Sequence, residues 1–458
     1  MGLFSGLTRG IKKHRPRVVM IGIDGVPYTL LKRFIDNGIM PNLGEIVDHG
    51  TLSQMDTSLP EVSSVAWTSF MTGKNPAEHG IYGFMDLQPN TYRMYFPNSG
   101  NVGCDTLWDM LGKNERRSIV INVPSTYPAR EIKGVLVSGF VSIDLRKAAY
   151  PESAFDYLNG MGYRIDVDAI KARQSLDHLI EDLDITLTKR IEAIFHFWDT
   201  EEWDFFLGTI TCTDRLHHFL WDALEDENHR YHSFFIDFYK RLDGFIGDIY
   251  DRYMSQYGSR YSPPGFILMS DHGFTGIKKE VYLNTWMREN GYLGFSKEIP
   301  DSLEDIAEGT KAFVMDPSRI YINLKGKYPK GCVEPGKEYE DIRDELSEKM
   351  LSLKVGSPGS SGNNPDSYVV SAVYKKEDIY KGPYLDSAPD IVLLPHYGYD
   401  LKGSIRKDIL TEKGQLTGMH TQDDAVVFIN RKDVINSKPN IVDLFSIILK
   451  ELDIKRSA

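Results

Sequence analysis

Three aspartates and three histidines stand where a divalent metal ion would be held. Asp24 follows the apolar run Val18 to Ile23, Asp214 closes "DFFLGTITCTD", and Asp271-His272 follows the run in "GFILMSDHGF". In "TDRLHHFLW", His218 lies four residues beyond Asp214, so a helix starting there puts both on one face. His217 is its neighbour, and spacing alone does not separate the two. His420, in "GQLTGMHTQDD", falls in an expected loop before the strand-like "AVVFIN". Carboxylate and imidazole donors without sulfur suit zinc or manganese better than copper or an iron–sulfur cluster. Each element alone has a simpler reading: Asp24-Gly25 as turn chemistry, Asp214 as a helix N-cap, Asp271-His272 as a hydrogen-bonded pair. Their coincidence at strand ends points to a metal site, because ligands of open α/β sheets bind outside the carboxyl ends of the strands.

A nucleophile is offered by "SLPEVSSVAWTSFMTGKNPAEHGI", Ser58 to Ile81. Pro60 and Glu61 precede a segment whose residues Val65 to Met71 continue as a helix, and Gly73 suits its C-terminal end. Either Ser63 or Ser64 would sit at the helix N-terminus, where backbone N–H groups and the helix dipole attract phosphate. The simpler alternative is a capping serine, which contributes about 1 kcal/mol of helix stability.

The elements that must position these groups alternate. "RVVMIGIDGV", "RSIVINVP", "DFFLGTITCTD" and "GFILMSDHGF" read as buried strands, separated by helical patterns at Tyr28 to Asn37, Ser175 to Phe197 and Ser233 to Tyr253. This predicts an α/β fold, a doubly wound, mostly parallel sheet with helices on both faces. Residues 17–297 and 388–458 are expected to form this core, with a helical insertion at about 151–200. Residues 298–387 read as an inserted α+β cap unit: a strand at "SRIYINLKG", a helix from Lys337 to Leu353, the loop "GSPGSSGNNPDS" and a strand at "SYVVSAVY". "PDIVLLP" and "DAVVFIN" then restore buried-strand character, before a closing helix in "NIVDLFSIILKELDI".

Composition narrows the function classes. A net charge of -12 argues against a general nucleic-acid binder, since affinity for the phosphate backbone comes from accumulated Lys and Arg. Cys104, Cys212 and Cys332 are too scattered for a disulfide framework or a sulfur metal site, which fits a reducing compartment. No apolar run approaches the roughly 20 residues that span a bilayer, and the N-terminus lacks a secretory h-region; a cytoplasmic location is expected. Residues 1–16 form a basic tail with Leu3, Phe4, Leu7 and Ile11 at helix-like spacing, read either as a disordered terminus or as a peripheral anchor on anionic lipid.

The stretches "VVMIGIDGV", "SSVAWTSFMTGKNPAEHGIYGF", "TDRLHHFLW", "LMSDHGF" and "TGMH" occur in an order that resembles the type I phosphodiesterase/nucleotide pyrophosphatase family of the alkaline phosphatase superfamily. The resemblance implies two divalent ions, zinc by first choice and manganese by second. One is held by Asp24, Asp271, His272 and the nucleophile, the other by Asp214, His218 and His420, which selects His218 over His217. It places the nucleophile at Ser63, with Ser64 as runner-up. The implied activity is hydrolysis of a small phosphate ester, a diester or pyrophosphate. Ser63 attacks phosphorus, the leaving group departs beside Asp214, His218 and His420, and water hydrolyses the phosphoserine there.

The chain also departs from the nucleotide pyrophosphatase pattern. Where those enzymes carry Asn-His after the nucleophile and an Asn after HGI, this chain has Ala66-Trp67 and Tyr82-Gly83-Phe84. Asn98, Asn101, Asn122 and Lys147 are candidate substitutes. The departure leaves monoester or phosphonate hydrolysis and phosphotransfer as alternatives on the same site, since fold does not fix substrate. A sulfatase is disfavoured because the Cys/Ser-x-Pro-x-Arg element is missing. A non-catalytic binding module is the remaining reading, and it would be expected to have lost ligands. Trp67 is expected in the core and His79 behind the nucleophile's helix.

Overall fold

Continuous apolar runs build the sheet that carries the site. The structure, a computed structural model, describes residues 15–258, 260, 265–356, 368–432, 434–435 and 438–455. Strands Val18–Ile23, Ser118–Val123, Phe205–Ile210 and Gly265–Met269 are buried along their whole length. They lie in an eight-stranded sheet ordered Thr51–Met55, Ala425–Ile429, Gly265–Met269, Val18–Ile23, Phe205–Ile210, Ser118–Val123, Gly134–Ser138, Ala149–Tyr150. The central pairs are parallel, with Val18 opposite both Phe205 and Gly265. Ala425–Ile429 and Ala149–Tyr150 run antiparallel to their neighbours.

Because successive side chains on a strand point to opposite faces, each strand feeds two layers. Val19, Ile21, Phe206 and Leu268 pack into a core with Leu31 and Phe34 of helix Tyr28–Asp36 and with helices Leu176–Thr200, Cys212–Glu225 and His232–Tyr253. Val18, Met20, Leu207 and Ile267 pack into another, with helices Ser63–Thr72, Leu107–Lys113 and Asp443–Glu451. Each large apolar side chain buried this way contributes about 1.5–3 kcal/mol. The expected doubly wound α/β sheet is therefore the fold. The helices expected from residue 151 onward are Glu152–Gly160, Ala169–Gln174 and Leu176–Thr200. The last buries Leu179, Leu183, Leu187, Ile194 and Phe197, an amphipathic stripe.

A second sheet has its own core. Strands Ala312–Met315, Arg319–Ile322, Ile391–Pro395 and Val370–Lys375 pair antiparallel in that order, and helix Lys337–Leu351 packs on them through Ile342, Leu346 and Met350. Ile391–Pro395 corrects the expected return to the main sheet at residue 388. Its Val392 pairs with Arg319 on one side and Tyr374 on the other, so this apolar strand is buried inside the smaller sheet. An apolar run states that a strand is buried without stating in which sheet. The chain rejoins the site at Gly418–Thr421, paired antiparallel with Gly273–Gly276. Arg319, fully buried, links this sheet to the segment after the HGI element, donating to Asp86 Oδ1 at 2.6 Å and to the Met85 carbonyl at 2.7 Å.

Residues 1–14 of the basic tail and 357–367 of the expected loop lie outside the described residues. Among the described residues, no helix is long and apolar enough to cross a membrane.

Candidate active site

Helix Ser63–Thr72 begins at the edge of the sheet. Its N-cap is Val62, in an extended conformation, so neither serine is the capping residue; Ser63 and Ser64 are the first two helical positions. Gly73 ends the helix in the left-handed region at φ 63°, where a residue without Cβ is favoured. Ser63 is buried, and its Oγ lies 3.1 Å from His272 Nε2 and 3.4 Å from Asp24 Oδ1. Ser64 Oγ is also buried and has no hydrogen-bond partner among the described residues.

Asp24 leaves the strand Val18–Ile23 at its carboxyl end. Its Oδ2 accepts a hydrogen bond from the Trp67 indole at 2.9 Å, and its backbone carbonyl accepts from the Thr213 hydroxyl at 2.6 Å. Asp271 accepts from the Gly25 N–H at 3.0 Å through Oδ1, while its Oδ2 is buried without a partner among the described residues. His272 Nε2 lies 3.3 Å from that Oδ2 and 3.8 Å from Asp24 Oδ1. The donor atoms of Asp24, Asp271 and His272 all fall within 4.8 Å of one another.

Asp214 is the third residue of helix Cys212–Glu225. His218 Nε2 lies 3.4 Å and His420 Nε2 3.2 Å from Asp214 Oδ1, and the two imidazole nitrogens are 3.0 Å apart. His420 stands on the strand Gly418–Thr421, opposite Phe274, and not in the expected loop; pairing with the segment after His272 fixes its orientation. The helix is kinked at Leu220, where Trp221 N–H donates to Thr417 Oγ1 and Thr417 N–H to the His218 carbonyl, tying the His218 turn to this strand. His217 points elsewhere, between the Gly25 carbonyl at 2.8 Å and the Tyr239 hydroxyl at 2.7 Å. His272 Nε2, 4.0 Å from Asp214 Oδ1, joins the two groups.

The donor set fits divalent cations. Nδ1 of His218, His272 and His420 each contacts a backbone carbonyl, of Gly418, Gly273 and Glu61 respectively. A carbonyl only accepts, so each Nδ1 carries hydrogen and each Nε2 is turned toward the carboxylates, the arrangement of a metal-binding imidazole. Burial pushes His218 down to about 3 and His272 well below the usual imidazole range, so both are neutral. Burial, reinforced by neighbouring carboxylates, pushes Asp24 well up and Asp271 up to about 7. Asp214 goes the opposite way: burial opposes its ionisation, but His218, His420 and Arg215 outweigh it. Burial opposes protonation of His420, yet Asp214 outweighs it and raises its pKa. Carboxylates crowded in this way, with the orphaned oxygen of Asp271, are relieved by positive charge at the two foci.

The structure brings Asp24, Ser63, Asp214, His218, Asp271, His272 and His420 together, but it scatters the candidate substrate contacts. Asn122 bonds Thr211 and Tyr163, Asn98 and Asn101 cap the turn Ser99–Asn101, and Lys147 lies in helix Leu145–Ala148. His79 packs against helix Ser63–Thr72, bonded through Nε2 to Ser69 Oγ at 3.0 Å. Trp67 is in the core as expected, yet it also serves Asp24. Its place four residues after Ser63 was the available signal, since such residues share a helix face. Arg215 was also missed; it bonds Asp214 Oδ2 at 3.3 Å and Asp166 Oδ2 at 2.7 Å, joining the site to the helical insertion. A cavity of about 320 Å³ opens against His218 and His420, with Phe84, Phe219, Arg173 and Lys402 in its wall.

Residues 18–423 match the family model of type I phosphodiesterase/nucleotide pyrophosphatase. No curated protein matches the sequence. Among solved structures, phosphonoacetate hydrolase from Sinorhizobium meliloti 1021, in complexes with phosphonoformate and with phosphonoacetate, is similar with a TM-score of 0.63 at 16% identity, over 96% of both chains. Murine ectonucleotide pyrophosphatase/phosphodiesterase 5 is similar with a TM-score of 0.53 at 14% identity, also over 96% of both chains. At these identities the likeness is one of fold.

Proposed function

The chain belongs to the type I phosphodiesterase/nucleotide pyrophosphatase family, and from that premise we propose a metal-dependent hydrolase of phosphodiesters or pyrophosphates that works through a phosphoserine at Ser63. The observation that carries the proposal is the meeting of Ser63 Oγ with Asp24 and His272 beside an orphaned carboxylate oxygen of Asp271.

Asp24, Asp271, His272 and Ser63 would hold one divalent ion, and Asp214, His218 and His420 a second, zinc by first choice and manganese by second. Such ions, when bound, ease ionisation of a hydroxyl and offset the charge of a phosphoryl group in an in-line displacement. Ser63 Oγ forms the new bond to phosphorus at the helix N-terminus, where backbone N–H groups face the phosphoryl oxygens. The bond to the leaving oxygen breaks on the side of Asp214, His218 and His420, which faces the cavity. Water entering from that side hydrolyses the seryl ester and restores the hydroxyl. The Nδ1 hydrogens of the three imidazoles are held by carbonyls and each Nε2 would be taken up by an ion, so the proton of Ser63 would leave to water and not to one of these histidines.

A second reading, phosphonate or monoester hydrolysis or phosphotransfer, draws on the residues that replace the family's asparagines. The Trp67 N–H is engaged by Asp24 and the Tyr82 hydroxyl by the Tyr384 carbonyl, so neither is free for a diester's phosphoryl oxygens. Free Cys104, Cys212 and Cys332 fit a reducing, cytoplasmic setting. Metal analysis combined with hydrolysis of a bis-aryl phosphodiester, an aryl monoester and an aryl phosphonate tests both readings. Two ions per chain with diester preference are expected. A monoester or phosphonate preference selects the second reading, and absence of both metal and turnover overturns the enzyme.

A further inference from the structure

The wall of the active-site cavity contains three cations, and two are already engaged. Arg215 is held by Asp166 and Asp214, and Lys402 Nζ by Asp400 at 2.6 Å. Arg173 makes no hydrogen bond or ion pair among the described residues, although Glu61, Asp316 and Asp400 line the same cavity. It stands on helix Ala169–Gln174 of the insertion, four residues from Ala169, which also lines the cavity, so the two share the face turned to it.

That helix is anchored at its N-terminal end. Asp168 caps it by accepting from Ile170 and Lys171 N–H, and Asp168 N–H itself donates to Asp182. Upstream, Asp166 takes paired hydrogen bonds from Arg215 at 3.1 and 2.7 Å, and Arg215 also contacts Asp214. The segment leading into the helix of Arg173 is therefore fastened, through Asp166 and Arg215, to Asp214. Arg173 lines the same cavity as His218 and His420, the pair beside which the leaving group would depart.

We propose that Arg173 recognises a second anionic group, carboxylate or phosphate, on the leaving-group portion of the substrate. The inference rests on the hydrolase reading and adds the substrate class. Elsewhere in the cavity Glu61, Asp316 and Asp400 disfavour an anion, so a guanidinium without a carboxylate partner sets where the anion goes. Because its five N–H donors form a planar fork, a bidentate pair is the expected contact.

The test uses the full-length, zinc-loaded protein and three phenyl aryl phosphodiesters whose leaving phenols carry a 4-carboxylate, a 4-phosphonate or a neutral 4-carboxamide. The wild type is expected to prefer an anionic leaving group over the carboxamide in kcat/KM. Arg173→Gln is expected to reduce that preference by about tenfold or more, the effect of losing a charge-assisted hydrogen bond, and Arg173→Lys to keep part of it. Lys171→Gln removes an equal charge from the same helix outside the cavity and is expected to keep the preference. The carboxylate and phosphonate arms identify which anion is read. A wild type without preference, or an unchanged preference in Arg173→Gln, overturns the proposal while leaving the hydrolase reading intact. If no diester is hydrolysed, the diester reading falls, and calorimetric affinities for 4-carboxybenzylphosphonate and its carboxamide decide on Arg173 by the same comparison.

Discussion

The hydroxyl of Ser63 stands 3.1 Å from Nε2 of His272, whereas the neighbouring hydroxyl of Ser64 is buried without a hydrogen-bond partner among the described residues. Two adjacent serines on one helix turn thus have different surroundings, and only one faces the carboxylates. Ser63→Ala is expected to lower kcat by at least about 1,000-fold, as loss of a nucleophile does. Ser64→Ala is expected to stay within about tenfold of wild type. Steady-state kinetics on a diester checks both, and the reverse order would move the nucleophile to Ser64.

Trp67 donates its indole hydrogen to Asp24 and fills the space above Gly22, where a Cβ would lie 2.5 Å from the indole ring. Trp67→Phe keeps much of the volume and removes the donor. Zinc affinity is expected to fall about 10–100-fold, the usual effect of losing a hydrogen bond to a ligand. Competition with a chromophoric chelator reads the change, and circular dichroism should report an intact fold.

His79 makes stability depend on pH away from the cluster of carboxylates and imidazoles. Ile81 N–H donates to its Nδ1, Ser69 Oγ meets its Nε2, and burial pushes it down to about 3. Its folded pKa is below the unfolded value, so the unfolded chain takes up the proton first. Its contribution is therefore constant above about pH 6.5 and is lost as pH falls from there toward 3, at about 1.4 kcal/mol per pH unit. Replacing it by Gln is expected to lower stability at pH 7 and to flatten the decline between pH 6 and 4 by about that slope. Denaturant unfolding of both proteins across this range, at equal metal concentration, provides the comparison.

The strands were legible because Val18–Ile23, Phe205–Ile210 and Gly265–Met269 are apolar on both faces, a pattern that a buried parallel strand requires. Asp24, Asp214 and Asp271 could be placed because ligands gather at the carboxyl ends of such strands. His420 was harder. Its place on a short strand depends on pairing with Phe274, far away in sequence, and Gly418–Thr421 alone is too short to show a period. Ile391–Pro395 was misplaced for the same reason, since burial does not specify which partner strands provide it. For Trp67 the sequence indicates only a core position, because an apolar ring at helical spacing carries no sign of where its N–H points. Arg215 and Arg173 carry no local signal, because arginines are common on surfaces and the setting of these two comes from the insertion folding back on the site.

A covalent intermediate on Ser63 is open to direct detection. Metal-loaded enzyme turning over bis(4-nitrophenyl) phosphate can be quenched in acid and its peptides mapped by mass spectrometry. A 4-nitrophenylphosphoryl group on Ser63, present during turnover and lost as substrate runs out, is the predicted result. The same adduct on Ser64, or catalytic turnover with the Ser58–Ile81 segment unmodified throughout, would rule out Ser63 as the nucleophile.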